Sequence, residues 1–79
     1  MSAPTPKHLA SLAVGQRGTI DGFSNDFLAE KLLELGFVPG ESVRVEHRAA
    51  FGDPMVVSVA GCRVSLRKSE AATVILSAE

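Results

Sequence analysis

Aromatic side chains are scarce in this chain: four Phe, no Trp and no Tyr among 79 residues. Proteins that stack single-stranded nucleic acid or clasp proline-rich peptides do so on exposed aromatic rings, so both roles are disfavoured. An excess of charge is missing too. Eight Lys and Arg stand against nine Asp and Glu, a formal charge of −1, whereas binders of a phosphate backbone usually carry a basic face. No nucleic-acid partner is expected. A single cysteine excludes an internal disulfide and suits a reducing compartment. No apolar run approaches the ~20 residues that span a bilayer, and Met1 to His8 lacks the apolar stretch of a secretory signal. The expectation is a cytoplasmic protein.

Motifs that carry chemistry are lacking as well. There is no Ser-His-Asp, Cys-His or phosphate-loop pattern, and Gly15, Gly18 and Gly22 do not open a helix as a nucleotide fingerprint requires. His8, His47 and Cys62 are the soft metal-ligand candidates, but they lack the short paired spacing of zinc sites. Asp53 and Glu46 could be imagined as paired carboxylates. Acid–base work needs a pocket to perturb them, and Asp53 before Pro54 reads more simply as a cap of its own loop. The chain is expected to be no enzyme and to hold no cofactor. At this size a fold buries only roughly 60% of its extended-chain surface, which leaves a thin core.

What is present is patterning. Apolar residues make up 46% of the chain, too much for disorder. Two prolines in the first six residues make 1–8 an extended tail, with 9–79 a single domain. Gln16 to Phe23 alternates as a strand bent at its glycines. Ser24-Asn25-Asp26 suits a helix cap, and Phe27 to Leu35 is rich in helix formers. Leu28, Leu32 and Leu35 form one stripe. Gly36 stops the helix and lets Phe37 fold back on Leu32, and Val38-Pro39-Gly40-Glu41 has the residues of a type II turn. From Ser42 the period becomes two. Val43, Val45 and His47 share the inward phase, and Ser42, Arg44, Glu46 and Arg48 the outward one. Gly52-Asp53-Pro54 breaks the next loop, with Phe51 stranded on it, whereas Phe23, Phe27 and Phe37 flank core elements. A strand from Met55 turns at Ala60-Gly61 into another in which Cys62, Val64 and Leu66 share the inward face. Lys68 to Ala72 suits one helical turn, and Thr73 to Leu76 a last strand. The sum is mainly β: about five short strands, with one α-helix inserted between the first and the second. Closing such strands into a small barrel removes exposed edges.

The order of these features is informative: Leu9-x-x-Leu12-x-x-Gly15, Leu32-x-x-Leu35-Gly36-Phe37-x-Pro39-Gly40, Phe51-Gly52-Asp53-Pro54, Val57-x-Val59-x-Gly61, Val64-x-Leu66-Arg67 and Val74-Ile75-Leu76. The set resembles the FeoA family, small cytoplasmic accessory proteins of bacterial ferrous iron uptake. The resemblance implies a Src-homology-3-like barrel and a partner, the FeoB-type ferrous iron transporter with its cytoplasmic GTP-binding domain. Membrane contact would come only through that transporter, and weak self-association is allowed. Similar barrels end iron-dependent repressors, so the alternative is a stand-alone regulatory or metal-sensing barrel.

On this reading the protein modulates its partner by docking. The expected contacts are the loop Arg48, Phe51, Gly52, Asp53 and Pro54, with Phe51 as apolar anchor, and the helix end Leu35, Phe37, Pro39 and Gly40. Arg48, beside the loop, would also be the residue to reach a bound GTP as an arginine finger.

Overall fold

A computed structural model describes residues 7–77. The elements in chain order are β1 (Lys7–His8), β2 (Arg17–Phe23), α1 (Asp26–Glu34), β3 (Ser42–Arg48), β4 (Met55–Val59), β5 (Cys62–Leu66), α2 (Lys68–Ala71) and β6 (Val74–Leu76). Single 3-10 turns follow β1 at Leu9–Ser11 and β3 at Ala50–Gly52. The strands form one antiparallel sheet in the order β1-β6-β2-β3-β4-β5.

Local sequence explains each boundary of α1. Asn25 caps it by accepting the Leu28 N–H at 3.0 Å. At its other end Gly36 takes φ +106°, which a residue with a Cβ resists. Its N–H donates to the Leu33 carbonyl at 3.1 Å, and the Phe37 N–H to the Leu32 carbonyl at 3.0 Å. This is the Schellman pattern that the Gly36-Phe37 pair predicts, and it drives Phe37 into the core with no exposure. Burying such a ring contributes about 2–3 kcal/mol. The Glu41 N–H closes the next turn on the Val38 carbonyl at 2.9 Å.

The core gathers Leu32 and Phe37 from α1 and its exit with Val43, Val45, Met55 and Val57 from the sheet, all fully buried. Ile20 and Leu76 close it from β2 and β6. β2 serves two ladders: Arg17 to Thr19 pair with β3, and Ile20 to Phe23 pair with β6 across a bulge at Asp21. That bulge is the bend expected from the glycines.

Two expectations are corrected. Lys7 and His8, assigned to the tail, pair with Leu76 and Ile75, because β6 otherwise presents an open edge; the rest of that tail lies outside the described residues. The ladder ends at β1 and β5, and no pairing joins them among the described residues. The two ends meet through α2, which follows β5 and lies against the 3-10 turn that follows β1. The second correction is a bulge in β3. Val45 pairs with Val57, but His47 pairs with Val56, so Glu46 is an inserted residue and the phase reverses after it. His47 is exposed, not inward. Arg48, opposite the buried Met55, turns toward the interior.

Candidate interaction surface

The loop from Ala49 to Pro54 is held at several points. The Ala49 N–H donates to the Pro54 carbonyl at 3.0 Å, and the Gly52 N–H to the Ala49 carbonyl at 2.8 Å. Because of the β3 bulge, the Arg48 guanidinium lies under this loop. Its Nη2 donates to the carbonyls of Ala10 at 2.8 Å and Leu12 at 2.6 Å, and its Nη1 makes a longer contact of 3.4 Å to the Gly52 carbonyl. On the far side Asp53 does not cap its own loop, as the sequence suggested. Its Oδ1 accepts the Lys68 N–H at 2.9 Å, satisfying the start of α2, and its Oδ2 lies 3.6 Å from the Arg67 guanidinium. The Asp53–Pro54 peptide bond is cis.

This frame presents Phe51. Its backbone sits at φ 64°, ψ 14°, a left-handed conformation that costs a residue with a Cβ roughly 1–2 kcal/mol, and its ring is fully exposed. An apolar ring of this size in water, on a backbone strained to hold it there, contributes nothing to the core. Phe51, Gly52, Asp53 and Pro54, neighbours in the chain, share this loop. Arg48 lies under the same loop with its guanidinium engaged by three carbonyls, so it is not an arginine free to reach a nucleotide.

The second expected patch stands apart. Gly36 lies against the β4–β5 turn, with a Cβ placed on it 3.5 Å from the Ala60 Cβ, whereas the Phe51 loop joins β4 at its other end. The two patches are separated by the length of β4, roughly 14 Å at strand rise. Leu35 is 38% exposed and Val38 44%, and Pro39 and Gly40 are exposed beside them. Phe37, expected in this patch, is fully buried by the Schellman turn and offers no ring to a partner.

Two exposures were not foreseen. Phe27 is 89% exposed, because the stripe that α1 buries runs through Leu28 and Leu32 and leaves Phe27 on the next face. Cys62 is exposed: it shares the face of Val64 and Leu66 but stands at the hairpin end of the edge strand, beyond the core. Its partner across the hairpin is Val59.

Electrostatics add two anchored carboxylates. Glu70 is held below the usual carboxylate range, first by the hydrogen bond from Lys31 (Nζ to Oε2, 2.8 Å) and then by the Arg67 N–H. Glu46 is likewise lowered, chiefly by the Ser58 hydroxyl, which donates to it at 2.7 Å, with help from Arg44, Arg63 and Arg17. Among the described residues no group of three or more His, Cys, Asp or Glu is placed to hold a metal ion, and no helix is long and apolar enough to cross a membrane.

Comparisons with known proteins follow the same lines. No curated protein matches the chain. A FeoA-like protein from Clostridium acetobutylicum superposes with TM-score 0.85 at 25% identity, covering 95% of this chain and 88% of that one. FeoA of Stenotrophomonas maltophilia, solved with zinc and described as a prokaryotic SH3 domain protein possibly acting as a ferrous iron transport activating factor, gives 0.78 at 34% identity over 90% and 89%. A manganese-dependent transcriptional repressor shares the fold at 20% identity, with TM-score 0.81 over 98% of this chain and 39% of its own. The family model for the FeoA domain matches residues 7–78, nearly the whole of the sequence, and the chain belongs to the FeoA family.

Proposed function

We propose that this protein is a non-catalytic accessory of ferrous iron uptake that docks on the cytoplasmic side of a FeoB-type transporter and modulates its activity. The observation that carries the reading is Phe51: a fully exposed ring on a left-handed backbone, in a loop that Arg48 reaches from below at the Gly52 carbonyl and Asp53 ties from the side to Lys68. Preorganised apolar anchors of this kind contribute most of the affinity in small interfaces, because little ordering is left to be done on binding. Family membership supports the transport system as the setting, and the description of the S. maltophilia relative names ferrous iron transport activation. Modulation follows if the transporter's states differ in how well they seat the ring.

The test is a binding titration against detergent-solubilised FeoB-type transporter, with GTP turnover read in parallel. Phe51→Ala, shown to be folded by its thermal melt, is expected to lose at least ~10-fold in affinity. The double variant Leu35→Ser with Val38→Ser reports on the helix-end patch. Full binding by all these variants would end this reading.

A further inference from the structure

Four neighbouring strands bring three arginines into one line. Arg17 on β2 is the cross-strand partner of Arg44 on β3, Arg44 of Ser58 on β4, and Ser58 of Arg63 on β5. All three arginines are exposed. With strands about 4.8 Å apart, the line runs roughly 14 Å from Arg17 to Arg63. Like charges directly opposite one another destabilise a sheet, and Arg17 faces Arg44. Glu46 moderates the line from its middle, 3.9 Å from the Arg44 Nη1, but one carboxylate against three guanidiniums leaves it positive.

The complementary line lies on α1. Asp26, Glu30 and Glu34 are exposed and recur every fourth residue, a ridge about 12 Å long at helical rise. Like charges at this spacing weaken a helix, and Glu34 adds to the negative end of the helix dipole. Lys31, the one cation on α1, is committed to Glu70 at 2.8 Å. Among the described residues the ion pairs join Lys31 to Glu70, Arg44 to Glu46 and Arg67 to Asp53; Arg17, Arg63 and the three acids of the ridge form none.

The two lines are opposite in sign, matched in length and carried on regular elements, and each sets like charges side by side. We propose that the Arg17–Arg44–Arg63 row receives the Asp26–Glu30–Glu34 ridge of a second copy of this chain, giving a weak, salt-sensitive self-association. Phe27, beside the ridge and 89% exposed, comes with it and can lie over a guanidinium of the row. The net charge of −1 leaves little long-range repulsion between copies. Exposed ion pairs contribute little one by one, so the contact depends on the three acting together and on protein concentration. Row and ridge are different surfaces, so the contact is head-to-tail and extends to a ring or a chain unless the rotation closes at two copies. Other occupants fit less well. The row carries no exposed aromatic for a nucleic-acid base, and no exposed apolar side chain to enter a bilayer.

The experiment is sedimentation equilibrium of the full chain at low and at 0.5 M salt, with Arg44→Glu and Glu30→Arg. The wild type is expected to associate at low salt and to be monomeric at high salt. Each variant alone is expected to associate at least ~10-fold more weakly, like charges now meeting across the contact. An equimolar mixture of the two, which restores opposite charges at both junctions, is expected to recover association to within about threefold of wild type. A wild type monomeric throughout, or a mixture no better than its components, overturns the proposal. So does a row that answers to anionic phosphatidylglycerol vesicles, with Arg44→Glu losing vesicle binding, while the protein itself stays monomeric. No residue of the Phe51 loop takes part, so this measurement and transporter binding stand or fall separately.

Discussion

The Arg48 guanidinium donates to the Leu12 carbonyl at 2.6 Å, across 36 residues of sequence. That contact ties the end of β3 to the segment that follows β1, and the same side chain reaches the loop that presents Phe51. Replacing Arg48 by Ala leaves the Ala10 and Leu12 carbonyls without their donor, and part-buried acceptors left bare cost about 1–3 kcal/mol. The expected outcome is a fall in Tm of roughly 10 °C, read by circular dichroism. Arg48→Lys is expected to recover little of it, since one ammonium lacks the planar fork that reaches several carbonyls. A melt unchanged by Arg48→Ala would show that the clamp is ornamental.

Phe51 separates stability from docking. Phe51→Gly relieves the left-handed strain, offset in part by the entropy that glycine loses on folding. Tm is expected to rise by roughly 1–5 °C while transporter binding falls. A variant that melts lower would mean that the ring supports the fold.

Gly36 and Ala60 make a contrasting pair at the opposite end of the sheet. Gly36 is the residue its φ of +106° requires, and Gly36→Ala is expected to destabilise by about 1 kcal/mol or more. Ala60 sits at φ 50° in a two-residue hairpin turn, where Asn is better tolerated. Ala60→Asn is expected to stabilise by roughly 0.5–1 kcal/mol. Urea titrations of both variants check the opposite signs.

Glu70 sets part of the acid limb of stability. Its carboxyl lies below the usual range because Lys31, and then the Arg67 N–H, favour the charged form. A carboxyl lowered by folding contributes stability above its unfolded value, about 4.3, and loses it as pH falls toward the folded value. In Glu70→Gln that contribution is gone at neutral pH. The stability gap between wild type and variant, followed by denaturant melts from pH 7 to pH 3, is expected to shrink below about pH 4.5. A gap that stays constant over the range would assign Glu70 a purely geometric role in capping α2.

Features set by neighbours in sequence were legible in the chain: the Asn25 cap, the Gly36-Phe37 stop, the Pro39-Gly40 turn and the Ala60-Gly61 hairpin each need only adjacent residues. The strands were legible as far as alternation holds. It fails at Glu46, where an inserted residue exchanges the faces of His47 and Arg48, and nothing within the segment Ser42 to Arg48 marks that insertion. The exposure of Phe51 could be read because no periodic element claims it. The Asp53 bond to Lys68 and the Arg48 bonds to Ala10 and Leu12 span 15, 38 and 36 residues, and short-range pattern carries no information about such pairs. The line of arginines is of the same kind: each lies on a different strand, and register alone brings them together.

The inserted Glu46 also makes a rule about pairing. Deleting it would leave both side chains that follow facing as they do, whereas Glu46 kept in the ladder as a regular position would let β3 alternate without a break, sending an imidazole to the place now held by a guanidinium and turning the guanidinium out to water. α1 and the β4–β5 hairpin draw on contacts of their own and would survive. The seam between the first and third strands would lose its fastening, and the loop carrying the exposed ring would swing free of its anchor. In this small fold, the pairing of one strand governs which side chain becomes the rivet.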